Sequence, residues 1–246
     1  MKKHRKAVVV GVGPEAGLGA ALCKRFATEG YHVLIAGPTQ VKIDHVAKVI
    51  TQVGGLVTPV RTDTTCERDV VALFDCAMAD DDTEPADLIV YNAGNNQPQD
   101  FRTMTADFFE ETWRLTCFGG FLVGREAARR LMPQGHGTVI FTGATASLLG
   151  RPPFTAFASA KAGLRAITQS MAREFGPHGI HVAHVVIDGG IDGERIHTRF
   201  PAFREARGPD GLLNLAAITD TYWHLHQQHR TTWSFEVDMR PYKEPF

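Results

Sequence analysis

Short apolar segments alternate with longer amphipathic ones along the 246 residues of the chain. The short segments are rich in β-branched residues, and most are apolar throughout, which is typical of strands covered on both faces. We predict seven strands, at 7–10, 32–36, 56–60, 87–91, 138–142, 181–187 and 234–239. We predict helices between them, at 18–29, 41–53, 67–79, 106–132, 154–175 and 215–227. This alternation predicts a single doubly wound α/β domain over 1–246, with a parallel sheet of about seven strands and helices on both faces.

Composition restricts the classes of function. Acidic and basic residues nearly cancel, 27 against 26, so we expect no nucleic-acid-binding surface. The basic run at 2–6 is interpreted as a solvated lead-in to the first strand, and the aspartates at 80–82 as a solvated turn. No apolar run approaches the roughly 20 residues that span a bilayer, so we expect no membrane contact.

Cysteine and histidine spacing gives no sign of a metal site. The four cysteines are scattered without a Cys-x-x-Cys pair, which indicates neither a disulfide framework nor a zinc site and is simplest in a reducing cytoplasm. His181 and His184 lie three apart on a predicted strand and would face opposite sides. We therefore expect no metal ligation.

A glycine-rich turn joins the first predicted strand to the first predicted helix. Gly13, Gly17 and Gly19 follow the spacing Gly-x-x-x-Gly-x-Gly. Such glycines allow a tight turn and close backbone approach to a ligand, and a helix beginning at Leu18 would offer free N–H groups to a diphosphate. We interpret the turn as a dinucleotide-binding loop. The alternative is an ordinary strand–helix turn with no ligand.

With these landmarks the chain resembles the short-chain dehydrogenase/reductase family. Asp63 follows the third strand, where the aspartate of that family contacts adenine. The fourth strand ends in Tyr91, Asn92, Ala93 and Gly94, which resemble the family's Asn-Asn-Ala-Gly. The segment from Phe157 to Lys161 occupies the place of the family's Tyr-x-x-x-Lys. The resemblance implies a Rossmann-type fold, oxidoreductase activity with a nicotinamide dinucleotide, and a homodimer or homotetramer. Its interfaces would come from the helices at 106–132 and 154–175 and from the strand at 233–239.

The resemblance also assigns four active-site positions. In the family, a serine and a tyrosine hydrogen-bond the reacting carbonyl, a lysine supports the tyrosine and the nicotinamide ribose, and an asparagine anchors a water linked to that lysine. Carried over, the lysine is Lys161, but the serine falls on Ala144, the tyrosine on Phe157 and the asparagine on Thr116. Alanine and phenylalanine neither give nor take a proton. The family's proline-glycine is also altered, to Ile187-Asp188-Gly189-Gly190. The chain resembles a divergent subgroup with an incomplete active site.

Two functions remain open at this point. The first is an NAD(P)-dependent oxidoreductase of unknown carbonyl or hydroxyl substrate, in which Asp188 or Ser147 replaces the missing proton donor. The second is a catalytically inactive dinucleotide-binding pseudoenzyme or an oligomeric scaffold. The segment 192–213, which covers the substrate in the family, shows no decisive recognition pattern.

The choice between NAD and NADP rests on the end of the second strand. An acidic residue there would bind the adenosine ribose and select NAD. None occurs between Gly30 and Asp44, and Thr39 or Lys42 could meet a 2′-phosphate. The sequence therefore favours NADP slightly.

Overall fold

A computed structural model describes residues 3–79 and 81–245 and contains one parallel sheet in the order β3-β2-β1-β4-β5-β6-β7. Its strands are β1 (His4–Val10), β2 (His32–Gly37), β3 (Leu56–Arg61), β4 (Thr83–Tyr91), β5 (Gly137–Thr142), β6 (Ile180–Ile187) and β7 (Glu236–Met239). The chain crosses from one edge of the sheet to its middle between β3 and β4, so the strand order reverses between β1 and β4. The predicted doubly wound fold class is confirmed.

Helices cover both faces of this sheet. They are α1 (Leu18–Thr28), α2 (Gln40–Gln52), α3 (Glu67–Met78), α4 (Ala106–Trp113), α5 (Gly119–Leu131), α6 (Thr155–Phe175), α7 (Glu194–Arg199), α8 (Pro201–Arg207) and α9 (Leu215–Gln227). Along β1, Ala7 and Val9 enter the core with α1, α2 and α9, whereas Val8 and Val10 enter the core with α3, α5 and α6. The twofold alternation of side chains in a strand produces these two cores from one apolar run.

The start of β1 differs from the sequence prediction. His4 to Lys6 belong to the strand, and Lys6 is only 2% exposed. Its Nζ atom lies 2.9 Å from Oδ2 of Asp81, and Nη1 of Arg5 lies 2.8 Å from Oδ2 of Asp87. The prediction of a solvated lead-in is therefore wrong for Lys6, because β4 begins at Thr83 and supplies a partner strand, whereas Lys3, His4 and Arg5 are exposed. Lys2 and Asp80 lie outside the described residues.

The long helix predicted over 106–132 is present and runs without a break to Leu131, but it is not α-helical throughout. A π-helical turn, Arg114–Phe118, separates α4 from α5. The amphipathic pattern continues through this turn, so the π-helical geometry could not be predicted from it. The short helices α7 and α8 were not predicted either, and β7 begins two residues later than expected.

Three further observations concern membrane-spanning helices, cysteines and potential metal sites in the described part of the chain. No helix in residues 3–79 and 81–245 has the length and apolar character needed to cross a membrane. The four cysteines are free thiols. Over the same ranges, no three histidine, cysteine, aspartate or glutamate side chains come together as a potential metal site.

Candidate active site

A glycine loop links β1 to α1, as the sequence predicts. Gly11 has a φ of +92°, and a Cβ atom there would lie 2.5 Å from the backbone nitrogen of Ala93. Gly19 packs almost as closely, since its Cβ would lie 2.8 Å from the carbonyl oxygen of Gly11. Gly13, in contrast, has no heavy atom of the described chain within 4 Å of its Cβ position. The loop is therefore held tightly against the sheet, while one of its glycines faces open space.

The first turn of α1 presents backbone N–H groups that no side chain caps. The helix begins at Leu18, and its N-cap residue is Gly17, which has no side chain to accept their hydrogen bonds. Uncapped N–H groups at a helix N-terminus favour an anionic ligand. The loop and the helix start are therefore suited to hold the diphosphate of a dinucleotide.

A cavity of about 570 Å³ extends from the glycine loop across the carboxyl ends of β4, β5 and β6 to the start of α6. It lies beside the reversal of strand order, which is the usual ligand site of an open α/β sheet. Nine of the predicted site residues line it: Gly13, Gly17, Leu18, Gly19, Asn92, Gly94, Ala144, Phe157 and Lys161. The fold thus brings residues from distant parts of the sequence into one site.

Three predicted positions lie outside this lining. Ala93 is buried below the glycine loop, and Thr116 lies on the π-helical turn. Asp63 lies in the turn after β3, where its Oδ1 atom accepts hydrogen bonds from the backbone nitrogen and the hydroxyl of Thr65, at 2.9 and 2.8 Å. The expected contact of Asp63 with adenine stays a prediction.

Lys161 lies on the second turn of α6 and is almost fully buried. Its Nζ atom donates a hydrogen bond to the carbonyl oxygen of Thr142 at 2.5 Å. Burial lowers the pKa of Lys161 to about 8, because a charged ammonium is poorly solvated there. One turn earlier, the ring centroid of Phe157 lies 5.7 Å from this Nζ atom. Since Phe157 and Ala144 present only carbon atoms, Lys161 is the ionisable side chain among these positions.

Thr116 lies close to Lys161 but is not connected to it by a hydrogen bond. Its Oγ1 atom is buried and has no hydrogen-bond partner in the described chain. Both this oxygen and the Nζ atom of Lys161 lie 3.6 Å from the position that a Cβ of Gly94 would take. Single π-helical turns occur often at functional sites, and this one carries Thr116 into the neighbourhood of the lysine.

The two proposed substitutes for the proton donor are occupied elsewhere. Oδ2 of Asp188 lies 2.9 Å from Nη2 of Arg240, and its Oδ1 accepts a hydrogen bond from Thr145 at 2.5 Å. Ser147 is buried, and its Oγ atom accepts a hydrogen bond from the backbone nitrogen of Ala144 at 3.1 Å. Neither Asp188 nor Ser147 lines the cavity. The structure does not favour either residue as the acid.

A partly buried polar network supports the cavity wall after β5. Nδ1 of His184 is 2.9 Å from Oε2 of Glu236, and both oxygens of that carboxylate accept hydrogen bonds from Arg165 at 2.6 and 2.8 Å. Burial lowers the pKa of His184 to about 4, so the ring is neutral at pH 7. A Cβ on Gly143, the residue before Ala144, would lie 2.4 Å from Nε2 of this ring. The network therefore positions the backbone that carries residue 144.

The segment 192–213, which covers the substrate in the family that the sequence resembles, contributes α7 to the cavity. Glu194 and Arg195 line the cavity together with Asn96 and Arg151. Sequence reasoning placed this segment but did not predict α7, because a helix of six residues is too short to show a periodic pattern.

Comparisons with known proteins agree with this geometry. The family model described as short chain dehydrogenase matches residues 6–199. The crystal structure of a short-chain dehydrogenase from Rhodopseudomonas palustris is 36% identical in sequence and has a TM-score of 0.81, covering 97% of this chain and 99% of that one.

Two other proteins extend the comparison. A structure of 7α-hydroxysteroid dehydrogenase complexed with NADH and 7-oxo glycochenodeoxycholic acid has a TM-score of 0.87 at 24% identity, covering 98% of this chain and 94% of that one, which is a likeness of fold. Short chain aldehyde dehydrogenase 1 of Euphorbia lathyris is 29% identical over 185 residues, which are 74% of this chain and 62% of that protein. On the family match and the identity to the Rhodopseudomonas protein, the chain belongs to the short-chain dehydrogenase family.

Proposed function

We propose that the cavity binds a nicotinamide dinucleotide and that the chain acts as an oxidoreductase on a carbonyl or hydroxyl group. Of the four active-site groups of the family, only the lysine, Lys161, is retained. One observation carries this proposal. The glycine loop and Lys161 line the same cavity as Ala144 and Phe157, whose side chains contain only carbon atoms.

The residues present fit such a cofactor. Gly13 faces open space, and the N–H groups of the first turn of α1 are uncapped, so this end of the cavity accepts a diphosphate. Bound there, a nicotinamide dinucleotide supplies or accepts a hydride. Lys161 would donate hydrogen bonds to the ribose hydroxyls of a bound dinucleotide, and it is mainly protonated at pH 7, since its pKa is about 8. Among Lys161, Ala144 and Phe157, only the lysine side chain carries a proton that it can donate.

The substitutions predict slow turnover. A positioned general acid typically contributes about 10²–10⁴ in rate, and one hydrogen-bond donor to a developing oxyanion about 10²–10³. Phe157 and Ala144 remove one group of each kind, and such losses are not additive. The second candidate function is therefore a dinucleotide-binding pseudoenzyme or scaffold. It is favoured by the side chains of Phe157 and Ala144, which contain only carbon atoms and cannot transfer a proton.

We propose NADP as the preferred dinucleotide. The end of β2 carries no carboxylate, and the N-cap residue of α2, Thr39, does not use its hydroxyl in capping. Arg61, at the end of β3, donates a hydrogen bond from Nε to the carbonyl oxygen of Pro38 at 3.4 Å, which brings a cation to the end of β2. Changing Arg61 to glutamine should weaken NADPH binding and leave NADH binding nearly unchanged. Equal effects on both cofactors would contradict this preference.

We also propose that copies of the chain associate through α4 and α5. Three large apolar side chains there are about two-fifths exposed: Phe109 at 38%, Trp113 at 38% and Phe121 at 40%. Exposed aromatic groups on adjoining elements favour a protein interface. Light scattering on the wild type and on a Trp113→Glu variant should show an oligomer that dissociates when the charge is introduced.

The experiment for the main proposal has two stages. Calorimetric titration with NADH and NADPH first establishes whether the chain binds either one. Oxidation of the bound cofactor is then followed across a panel of aldehydes and ketones, for the wild type and for a Phe157→Tyr, Ala144→Ser double variant. We expect binding by both proteins and faster turnover by the double variant, because Lys161 is already placed to support a tyrosine.

Each outcome separates the two functions. Wild-type turnover that is lost in Lys161→Met supports the oxidoreductase. Binding without turnover, in the wild type and also in a folded double variant, supports the pseudoenzyme. No binding of either dinucleotide at millimolar concentration would overturn both.

A further inference from the structure

The first residue of helix α7 is hydrogen-bonded directly to the glycine loop. The backbone nitrogen of Glu194, its first residue, donates a hydrogen bond to the carbonyl oxygen of Ala16 at 2.9 Å. A Cβ atom on the preceding Gly193 would lie 2.7 Å from that same oxygen. Only a glycine allows such close contact, so the start of α7 is held against the loop that receives the diphosphate.

This attachment places Arg195 in the cavity wall together with Gly13 and Gly17. Arg195 is half-buried, and its Nε atom is fully buried without a hydrogen-bond partner in the described chain. Across residues 3–79 and 81–245 no carboxylate forms a salt bridge with it, although Glu194 lines the same cavity. Burial and the nearby charge of Arg199 lower the pKa of Arg195.

A half-buried guanidinium with a buried orphan donor is costly unless a ligand supplies negative charge. The planar fork of arginine matches two phosphate oxygens better than any other side chain does. The cavity is lined by the glycine loop but not by Thr39, Lys42 or Asp63, and the start of α7 is hydrogen-bonded to Ala16 of that loop, so Arg195 is nearer to the loop than to the end of β2.

We propose that Arg195 binds the diphosphate of the dinucleotide and completes a site of which the glycine loop is the other half. This inference rests on the proposed function, because it requires that a dinucleotide occupies the cavity. Arg195 would contribute equally to NADH, NADPH and ADP-ribose, since all three carry the same diphosphate.

The test compares Arg195→Gln with Arg199→Gln. Both changes remove one positive charge from the same short helix, but Arg199 is exposed and does not line the cavity. Calorimetry with NADH, NADPH and ADP-ribose should show affinity reduced about 10- to 100-fold for Arg195→Gln and less than about twofold for Arg199→Gln. Arg195→Lys, which keeps the charge but loses the fork, should fall between them and serves if the glutamine variant does not fold.

Failure of the role of Arg195 and failure of the proposed function give different results. If the wild type binds the dinucleotides and both glutamine variants bind them equally well, the role of Arg195 is overturned and the proposed function stands. A loss confined to NADPH would also overturn it, since Arg195 would then contact the 2′-phosphate. If the wild type binds none of the three ligands, the proposed function fails and the role of Arg195 fails with it.

Discussion

Replacing Lys161 with methionine should stabilise the protein, and the gain should depend on pH. Lys161 is buried, and its pKa falls from the ordinary 10.5 to about 8 in the folded chain. The folded state therefore binds this proton more weakly than the unfolded state does. Burying the charged ammonium lowers the unfolding free energy of the wild type by its full amount below pH 8, and this loss disappears as the pH rises past 10.5.

The magnitude follows from that difference in pKa. Each pKa unit corresponds to about 1.4 kcal/mol, so the charge costs about 3 kcal/mol at pH 7 and about 1 kcal/mol at pH 9.5. Methionine fills a similar volume without a charge and also removes the hydrogen bond to Thr142. Loss of that hydrogen bond lowers the unfolding free energy of the variant by an amount that depends little on pH. The difference in unfolding free energy between variant and wild type should therefore shrink by about 2 kcal/mol over this pH range.

Urea unfolding at the two pH values measures this change. Lys48→Met, on the exposed side of α2, is the matched control and should keep a constant difference from the wild type. If the difference between Lys161→Met and the wild type is the same at pH 7 and pH 9.5, the lysine is not desolvated as described, and the reasoning fails.

Two further predictions concern the loop and the cavity wall. Gly13→Ala should leave thermal stability nearly unchanged and weaken dinucleotide binding by tenfold or more in a titration, because its Cβ would enter open space that the ligand needs. Gly19→Ala should instead lower the unfolding free energy by about 1–3 kcal/mol in urea, since its Cβ meets backbone; equal stability of the two variants would contradict this. Glu236→Gln should destabilise the chain by about 1–3 kcal/mol, because Arg165 loses a charged partner, and an unchanged urea midpoint would contradict it.

The positions of the strands and of most helices could be predicted because each element has its own pattern. β1 is apolar from Ala7 to Val10, and that run enters two cores on opposite faces. Lys6 could not be placed in the same way. Its charge indicates solvent, and only the pairing of β1 with β4 and the carboxylate of Asp81 explain its burial.

The candidate site was predictable where local spacing decided the geometry. Phe157 and Lys161 are four apart on a helix and share a face, so their contact follows from the sequence. The roles of Asp188 and Arg195 depended on partners far away in sequence. Asp188 meets Arg240, and Arg195 reaches the cavity only because α7 is attached to the glycine loop.

Gly143 and His184 form a pair that can change only together. The backbone of Gly143 rests on the imidazole, so any larger residue at 143 requires a smaller one at 184. The ring in turn is held by the carboxylate of Glu236 on the last strand. The C-terminal strand β7 thus supports the cavity wall, and shortening the chain at that end would displace position 144 without removing any residue that lines the cavity.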